Sequence, residues 1–226
     1  MPATDHFLSR LAVWVLILST LTLSPPLMAA PTIDTWETSK GAKVLFVAAP
    51  DLPMLDLRIV FSAGSARDGG RPGLAALTAD LLDQGAGDWD ADTIAERLET
   101  VGAELSIETQ RDLTAISLRT LTREPALGQA LETLGKLLTR PRFAPADFTR
   151  IRANTVVAIN RADQDPATRG QKAFYRLLYG DHPYASDPSG TPSSLATLTP
   201  EDLAAFHYPP PGRGHRREHH RRFASR

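Results

Sequence analysis

Two histidines and a glutamate near the C-terminal end have the types and spacing of a hydrolytic zinc site. They form the sequence His215-Arg216-Arg217-Glu218-His219. On a helix, histidines four residues apart lie on one face and can bind zinc through their neutral imidazole nitrogens. The glutamate between them could then activate a zinc-bound water. The spacing by itself therefore suggests metallopeptidase chemistry.

The surrounding residues argue against such a site. A zinc-binding helix needs an apolar face to seat it in a domain, whereas residues 209–222 consist of proline, glycine, arginine, histidine and one glutamate. Neighbouring arginines would repel a divalent cation, and the few residues after His219 leave no room for a distant further ligand. We predict no metal site here beyond adventitious binding through His215, His219 and His220.

Composition and charge separate an acidic body from a short basic tail. The chain has 25 basic and 26 acidic residues and no cysteine, which excludes disulfides, cysteine-bound metals and a thiol nucleophile. Residues 31–210 carry a net charge of −6, since seven of the 25 basic and two of the 26 acidic residues lie outside them. An acidic body does not favour nucleic acid as a partner. The arginine-rich tail could bind polyanions, but we expect a disordered end.

The N-terminal segment has the pattern of an export signal. Residues 11–23 form an uncharged run of 13 residues, followed by two prolines and by Met28-Ala29-Ala30. As a helix this run is about 20 Å long, too short for a hydrocarbon core of roughly 30 Å. We predict a signal peptide over residues 1–30, cleaved near Ala29 or Ala30. A retained anchor is the alternative, and in both cases the body is exported, to the periplasm or beyond the cell.

The elements of the body alternate between strands and helices. Period-two patterns predict a hairpin over residues 36–49 and strands over residues 55–61, 103–108 and 113–120. Helical patterns begin at Gly73, near Asp90, after Pro125, near Ala146, at Pro166 and after Thr199. The leucine spacing after Gly73 predicts that the first of these helices ends near Gly85. This order predicts an α+β domain over residues 31–208, a mainly antiparallel sheet with helices packed on one face.

Several short motifs occur along the body in a fixed order: Phe61-Ser62-Ala63-Gly64-Ser65, Gly73-Leu74-Ala75, Val101-Gly102-Ala103, Arg140-Pro141-Arg142-Phe143 and Tyr179-Gly180-Asp181-His182-Pro183-Tyr184. In order and spacing they resemble the insulinase/pitrilysin family of metallopeptidases, whose zinc helix carries His-x-x-Glu-His. The resemblance covers about residues 33–208 and implies half of a metallopeptidase with the LuxS/MPP-like fold.

The positions that the resemblance assigns to zinc chemistry hold unsuitable residues. The family's two histidines and its glutamate correspond to Ala76, Asp80 and Ala79. Alanine binds no metal and accepts no proton, and one carboxylate on a helix does not hold zinc. The further glutamate ligand expected downstream is also missing, because no glutamate occurs between Glu132 and Glu201. We predict no catalytic residue, no metal ligand and no bound cofactor in the body.

The resemblance leaves three functions open. The first is a non-catalytic, peptidase-like subunit that partners or scaffolds an active zinc peptidase of the family in protein degradation. It could hold extended peptides by strand addition at residues 105–108 or 113–121. The second is an active zinc endopeptidase, and the third is an exported binding or assembly module. The abrupt change at the tail, residues 209–226, suggests a truncated or frame-shifted end.

Overall fold

The computed structural model describes residues 32–208. The signal-peptide prediction, the zinc-like pattern at residues 215–219 and His220 lie outside these residues. Within residues 32–208, no helix is long and apolar enough to cross a membrane. The chain divides at Leu52 into two compact units, and we describe each by itself.

The first unit contains the predicted hairpin. Strand β1 (Ile33–Glu37) pairs antiparallel with strand β2 (Lys43–Val47). The turn between them includes Gly41, whose φ of +81° favours glycine, and Ala42 donates its backbone N–H to Thr38 Oγ1 at 3.0 Å. The rings of Trp36 and Phe46 lie 6.3 Å apart across the strands, which adds an aromatic cross-strand pair.

The second unit is built on a three-stranded antiparallel sheet. Its strands are β3 (Met54–Phe61), β6 (Glu104–Thr109) and β7 (Thr114–Leu121), in the spatial order β3-β7-β6. Apolar residues face each other in this register, with Ile59 and Ile107 both opposite Ile116. On the other face, Asp56 accepts two hydrogen bonds from Arg119, and Arg58 pairs with Glu108. One face of the sheet is therefore apolar and the other is polar.

Several helices of this unit begin at residues that sequence capping rules favour. Asp90 accepts a hydrogen bond from Thr93 N, and Asp165 accepts from Thr168 N. Thr199 and Asp202 form a reciprocal capping box. The helices are α1 (Leu74–Asp80), α2 (Ala91–Glu99), α3 (Ala126–Thr139), α4 (Pro145–Ala162), α5 (Pro166–Tyr179), α6 (Pro192–Leu195) and α7 (Pro200–His207).

The core lies between these helices and the apolar face of the sheet. Leucines dominate it, and Leu77, Leu118, Leu195 and Leu203 are each at most 1% exposed. Helix α1 packs against β6 and α7. Helices covering one face of an antiparallel sheet confirm the predicted fold class.

One predicted element is shorter than expected. Helix α1 ends at Asp80, whereas the leucine spacing favoured a helix that continues to about Gly85. Leu81 and Leu82 are still buried, but in a turn that leads into strand β4 (Gly85–Ala86) and its partner β5 (Trp89–Asp90). Gly87, with a φ of +59°, makes the tight reversal between them. Buried leucines fit a turn as well as a helix, so their spacing misplaced the boundary.

Candidate functional site

Helix α1 carries the positions that correspond to the family's zinc motif. Ala79 is 4% exposed, Ala76 is half-buried, and Asp80 is exposed at the end of the helix. The hydroxyl of Thr78 donates to Leu74 O at 2.7 Å inside the same helix. The small alanine side chains allow α1 to lie close to β6 and α7.

The start of α1 is held by a buried carboxylate. Asp68 is 5% exposed and accepts hydrogen bonds from the backbone N–H groups of Gly73 and Ala75, each at 2.9 Å. Burial raises the pKa of Asp68 to about 6, although these backbone hydrogen bonds oppose the shift. The sequence did not indicate this role of Asp68, because capping rules place an Asp immediately before a helix, whereas Asp68 lies six residues before Leu74 and reaches the helix start only through the fold of the loop.

Asp80 lies in a depression of about 530 Å³ between α1 and α4. Its pKa is raised because nearby protein atoms displace its hydration and because Asp83 adds negative charge. The Asp80 side chain is exposed to solvent. Nearby protein atoms nevertheless make its surroundings less polar than open water. The residues lining the depression are Ala79, Asp80, Asp83, Gln84, Ile107, Ile151, Asn154, Thr155, Ala158 and Ser189.

This lining does not fit zinc. It contains two aspartates and no histidine or glutamate, and protein zinc sites use several histidine, cysteine or carboxylate ligands in tetrahedral arrangement. Helix α4 faces α1 with Asn154, Thr155 and Ala158, none of which is a usual zinc ligand. Within residues 32–208 no three histidine, cysteine, aspartate or glutamate side chains are grouped closely enough to hold a metal ion.

The polar residues of α4 in the depression were not found from the sequence. Asn154, Thr155 and Ala158 lie on one helical face with Ile151. Their spacing of three and four residues was visible in the sequence, but it gave no indication of which element that face meets. Arg150 on the same helix donates to Gln84 Oε1 at 2.8 Å and to Asp147 at 3.0 Å, which ties α4 to the turn after α1.

The two histidines of the body occupy structural positions on other elements. Nε2 of His207 lies 2.9 Å from Leu138 O, and burial lowers the pKa of this histidine. His182 accepts the backbone N–H of Tyr184 through Nδ1 at 3.2 Å and contacts the Tyr184 ring. Neither residue lines the depression beside α1, so neither supplies a ligand there.

The sheet order decides between the two strands that could hold an added peptide. Strand β7 pairs with β3 over residues 114–121 and with β6 over residues 114–119. The prediction that residues 113–121 could hold an added peptide was therefore wrong. Strand β6 is at the edge of this three-stranded sheet. Ile107 of β6 lines the depression beside α1. The free edge of β6 therefore lies next to the zinc-motif positions on α1.

A family model covers most of the region just described. The model for insulinase, peptidase family M16, matches residues 43–191, which is more than half of the chain. The chain belongs to the insulinase family M16. The predicted resemblance is therefore confirmed.

The family relatives divide into peptidases and non-peptidases by name. The chain is 26% identical over 153 residues to the "non-peptidase homolog YmxG" of Helicobacter pylori, covering 67% of this chain and 35% of that protein. It is also 26% identical over 168 residues to the "uncharacterized zinc protease ML0855" of Mycobacterium leprae, covering 74% of this chain and 37% of that protein. The chain thus spans little more than a third of these curated M16 relatives.

Solved M16 structures share the fold. An M16 "inactive domain" from Pseudomonas fluorescens is 36% identical, with a TM-score of 0.76 over 78% of this chain and 43% of that chain. The "periplasmic protease PqqL" of Escherichia coli is 19% identical, with a TM-score of 0.69 over 79% of this chain and 21% of that chain. The second likeness bears on the fold alone, and in both cases the neighbour is more than twice as long as the matched region.

Proposed function

We propose that this chain is a non-catalytic member of the M16 family that works as a partner or scaffold for an active zinc peptidase. The observation that carries the proposal is the depression beside α1, where Ala76, Ala79 and Asp80 stand at the motif positions and α4 presents Asn154, Thr155 and Ala158. The names of the relatives from Helicobacter pylori and Pseudomonas fluorescens support the same conclusion.

A test of zinc chemistry separates this proposal from the active-peptidase alternative, which the names of the mycobacterial relatives favour. The full chain and a variant lacking residues 209–226 are purified without affinity tags, and zinc is measured by mass spectrometry alongside hydrolysis of a mixed peptide library. We expect less than stoichiometric zinc and no hydrolysis in the shortened variant. Stoichiometric zinc together with hydrolysis that survives the deletion would establish an active peptidase.

The lack of zinc ligands at the motif positions and the organisation of longer relatives support a partner role. The match covers 21% of the whole PqqL chain but 41% of its separately solved first half, so this fold makes up only a fraction of such a protein. In this role, the non-catalytic chain contributes to degradation by completing a peptide-binding surface together with the active subunit. Co-purification from the native host tests this, and we expect an M16 protein with an intact zinc motif. Unrelated partners would favour an exported assembly module.

The free edge of β6 is the proposed peptide-binding element. Gln110 N donates to Leu113 O at the end of the β6–β7 pair, and hydrogen bonding alternates along an antiparallel ladder. The N–H groups of Leu105, Ile107 and Thr109 therefore point away from β7, towards the free edge. An extended peptide added there would use these groups without any metal.

Amide exchange measured by NMR tests this binding mode directly. On addition of extended peptides, we expect exchange at Leu105 and Ile107 to slow at least tenfold. Ser106 and Glu108, whose N–H groups point to β7, serve as internal controls and should not change. Protection of all four amides would indicate general stabilisation, and protection of none would count against peptide addition at β6.

Export of the body is also part of the proposal. It rests on the uncharged run at residues 11–23, and the periplasmic location named for the PqqL neighbour is compatible with it. Expression of the full chain in a bacterial host, followed by fractionation and mass determination, tests it. We expect periplasmic or secreted protein that begins at Ala30 or Pro31. Cytoplasmic protein that retains Met1 would contradict export.

A further inference from the structure

A small cavity lies between helix α5 and the loop over residues 185–188, next to the turn that joins β6 to β7. We call it the α5 cavity. Its volume is about 150 Å³, well below the roughly 300 to 1,000 Å³ of pockets that enclose a drug-sized molecule. The α5 cavity therefore has room for one functional group and a few attached atoms, and not for a nucleotide.

The side chains of α5 that line this cavity are polar or aromatic, whereas its large apolar side chains lie outside it. The lining residues on the helix are Thr168, Gln171, Lys172, Tyr175 and Arg176. The large apolar residues are Phe174, Leu177 and Leu178, and all three are exposed. Arg111 reaches the cavity from the turn between β6 and β7, and Asp187 reaches it from the loop. The lining thus contains three cationic side chains and one acidic one.

Two of these charged side chains satisfy each other. Lys172 pairs with Asp187 at 2.9 Å and also with Asp163 at 2.7 Å. The side chains of Lys172 and Asp187 are only 19% and 18% exposed, so this pair is largely withdrawn from water. The second carboxylate oxygen of Asp187 accepts the backbone N–H of Ser189 at 2.9 Å. The positive charge of Lys172 is therefore already neutralised within the protein.

The guanidinium of Arg111 is held in place without a carboxylate partner. It lies over the Tyr175 ring, 3.9 Å from the ring centre, and its Nε donates to Tyr184 O at 3.4 Å. Tyr175 in turn stacks on Tyr179, with the ring centres 5.6 Å apart. The neighbouring Asp112 does not line the cavity and accepts the hydroxyl of Tyr184 instead. Because the guanidinium is fixed in advance, it loses little freedom when a ligand binds.

The walls present further hydrogen-bond donors. Within residues 32–208, the terminal N–H groups of Arg111 and the guanidinium of Arg176 donate to no protein acceptor and form no ion pair. In the same part of the chain, the side-chain amide of Gln171 and the hydroxyl of Ser186 also bind no other protein group. Two guanidinium groups, an amide and a hydroxyl thus border one small space. Such a set of donors suits an oxyanion.

The charge balance around the cavity favours an anion with a single charge. Arg111, Lys172 and Arg176 carry three positive charges, and Asp163 and Asp187 carry two negative ones, which leaves a net charge of +1. A carboxylate neutralises this charge, whereas a phosphate dianion brings a second negative charge close to Asp187. The planar fork of a guanidinium also matches the two oxygens of a carboxylate.

We propose that the α5 cavity binds a carboxylate group through Arg111 and Arg176. The carboxylate belongs either to a free organic acid or to the C-terminus of a peptide, because both present the same planar monoanion. This site does not depend on the proposed function. Its lining shares no residue with the depression beside α1 or with strand β6.

An NMR titration of the full chain at low ionic strength, where charges are weakly screened, tests the site with three probes. Acetate represents free acids, acetyl-Ala-Ala represents peptide ends, and the C-terminal amide of acetyl-Ala-Ala lacks the carboxylate. We expect both carboxylates to shift the Nε–H resonance of Arg111 and the side-chain amide of Gln171, with dissociation constants in the millimolar range. The amide should bind at least fivefold more weakly than acetyl-Ala-Ala.

The two sources of the carboxylate are separated by the same titration. Binding of acetyl-Ala-Ala at least threefold tighter than acetate would support the proposal and assign the site to peptide ends. Equal or tighter binding of acetate would support the proposal and assign the site to free acids.

Substitutions test the roles of the two arginines. Arg176→Gln should weaken acetate binding at least fivefold and leave the fold intact, because this guanidinium makes no ion pair within residues 32–208. The matched control is Arg169→Gln, which removes the same charge from an exposed position on α5 outside the cavity and should change the affinity less than twofold. Arg111→Gln should weaken binding at least tenfold. Circular dichroism of all three variants checks the fold.

Three results would overturn the proposal. The first is that the resonances of Arg111 and Gln171 do not move at carboxylate concentrations well above the millimolar range. The second is an equal loss of affinity in Arg176→Gln and Arg169→Gln, which would indicate general attraction to a basic helix. The third is binding of inorganic phosphate at pH 8 that is as tight as that of acetate, or tighter.

Discussion

Single residues on helix α1 depart from the family's zinc motif. At Ala76 and Ala79 the side chains offer no lone pair, and at Asp80 the carboxylate has Asp83 as its neighbour rather than a histidine. The helix itself is intact and begins with the glycine and leucine that resemble active relatives. The departures from the family's zinc motif therefore lie in the side chains and not in the helix that carries them.

Restoring the two histidine positions should restore zinc binding without activity. The double variant Ala76→His, Asp80→His places two imidazoles four residues apart on α1, and both positions have room because one is half-buried and the other exposed. We expect zinc affinity to rise at least tenfold over the wild type in competition with a chromogenic chelator. Hydrolysis should stay absent because Ala79 cannot act as a base. Asp80→His alone is the control and should bind zinc weakly.

Asp68 should make stability depend on pH. Its pKa in the folded protein is about 6, above the ordinary value of 3.8, so the folded state favours the protonated form. The contribution of Asp68 to the free energy of unfolding is therefore largest below about pH 4, and it is lost as the pH rises through 6. A difference of about 2 units corresponds to about 3 kcal/mol.

Urea unfolding at pH 4 to 7 measures this effect against Asp68→Asn, which cannot ionise. The free energy of unfolding of the wild type, minus that of the variant, should fall by up to about 3 kcal/mol between pH 4 and 7. A constant difference would mean that Asp68 ionises with an ordinary pKa in the folded protein.

At the scale of elements, close approach at Gly73 positions helix α1. Gly73 has a φ of +94°, and a Cβ there would lie 2.7 Å from Leu195 Cδ2 and 2.9 Å from Ser189 O. Gly190 is equally constrained on the facing loop, where a Cβ would lie 2.4 Å from Pro72 O. The loop before α1 and the loop before α6 thus fit together backbone to backbone.

Two alanine substitutions separate backbone strain from steric clash. Gly70 also has a positive φ, +83°, but a Cβ there would meet no atom within 4 Å. Gly70→Ala should cost about 1 kcal/mol of unfolding free energy for the left-handed conformation. Gly73→Ala should cost about 3 kcal/mol or more, because the clash with the α6 region is added. Equal losses in urea unfolding would contradict a packing role for Gly73.

At the scale of the whole molecule, an apolar core stabilises the second unit. Its core is formed mainly by leucine side chains between the sheet and the helices, and burial of such side chains is the main favourable contribution to folding. We expect the melting temperature to change by less than about 2 °C on addition of excess EDTA. A large decrease of the melting temperature in EDTA that added zinc reverses would indicate a structural metal site and contradict this prediction.

The amino-acid sequence was sufficient to predict the hairpin, the three longer strands, most helices and the departures from the zinc motif, but not the short strands β4 and β5. Local rules act within a few residues, so Asp90, Pro166 and Thr199 marked helix starts that the structure confirms. The sequence itself shows that no histidine or glutamate stands at the motif positions, which hold Ala76, Ala79 and Asp80.

The tertiary structure alone decided which elements meet. Strand order made β6 an edge and β7 a central strand, although both have similar alternation, because pairing depends on contacts between distant segments. It likewise brought Asn154 and Thr155 of α4 opposite Asp80. It also turned the apolar side of α5 outward, where helical periodicity alone favoured burial in the core. Periodicity defines the faces of an element, and only packing determines what each face contacts.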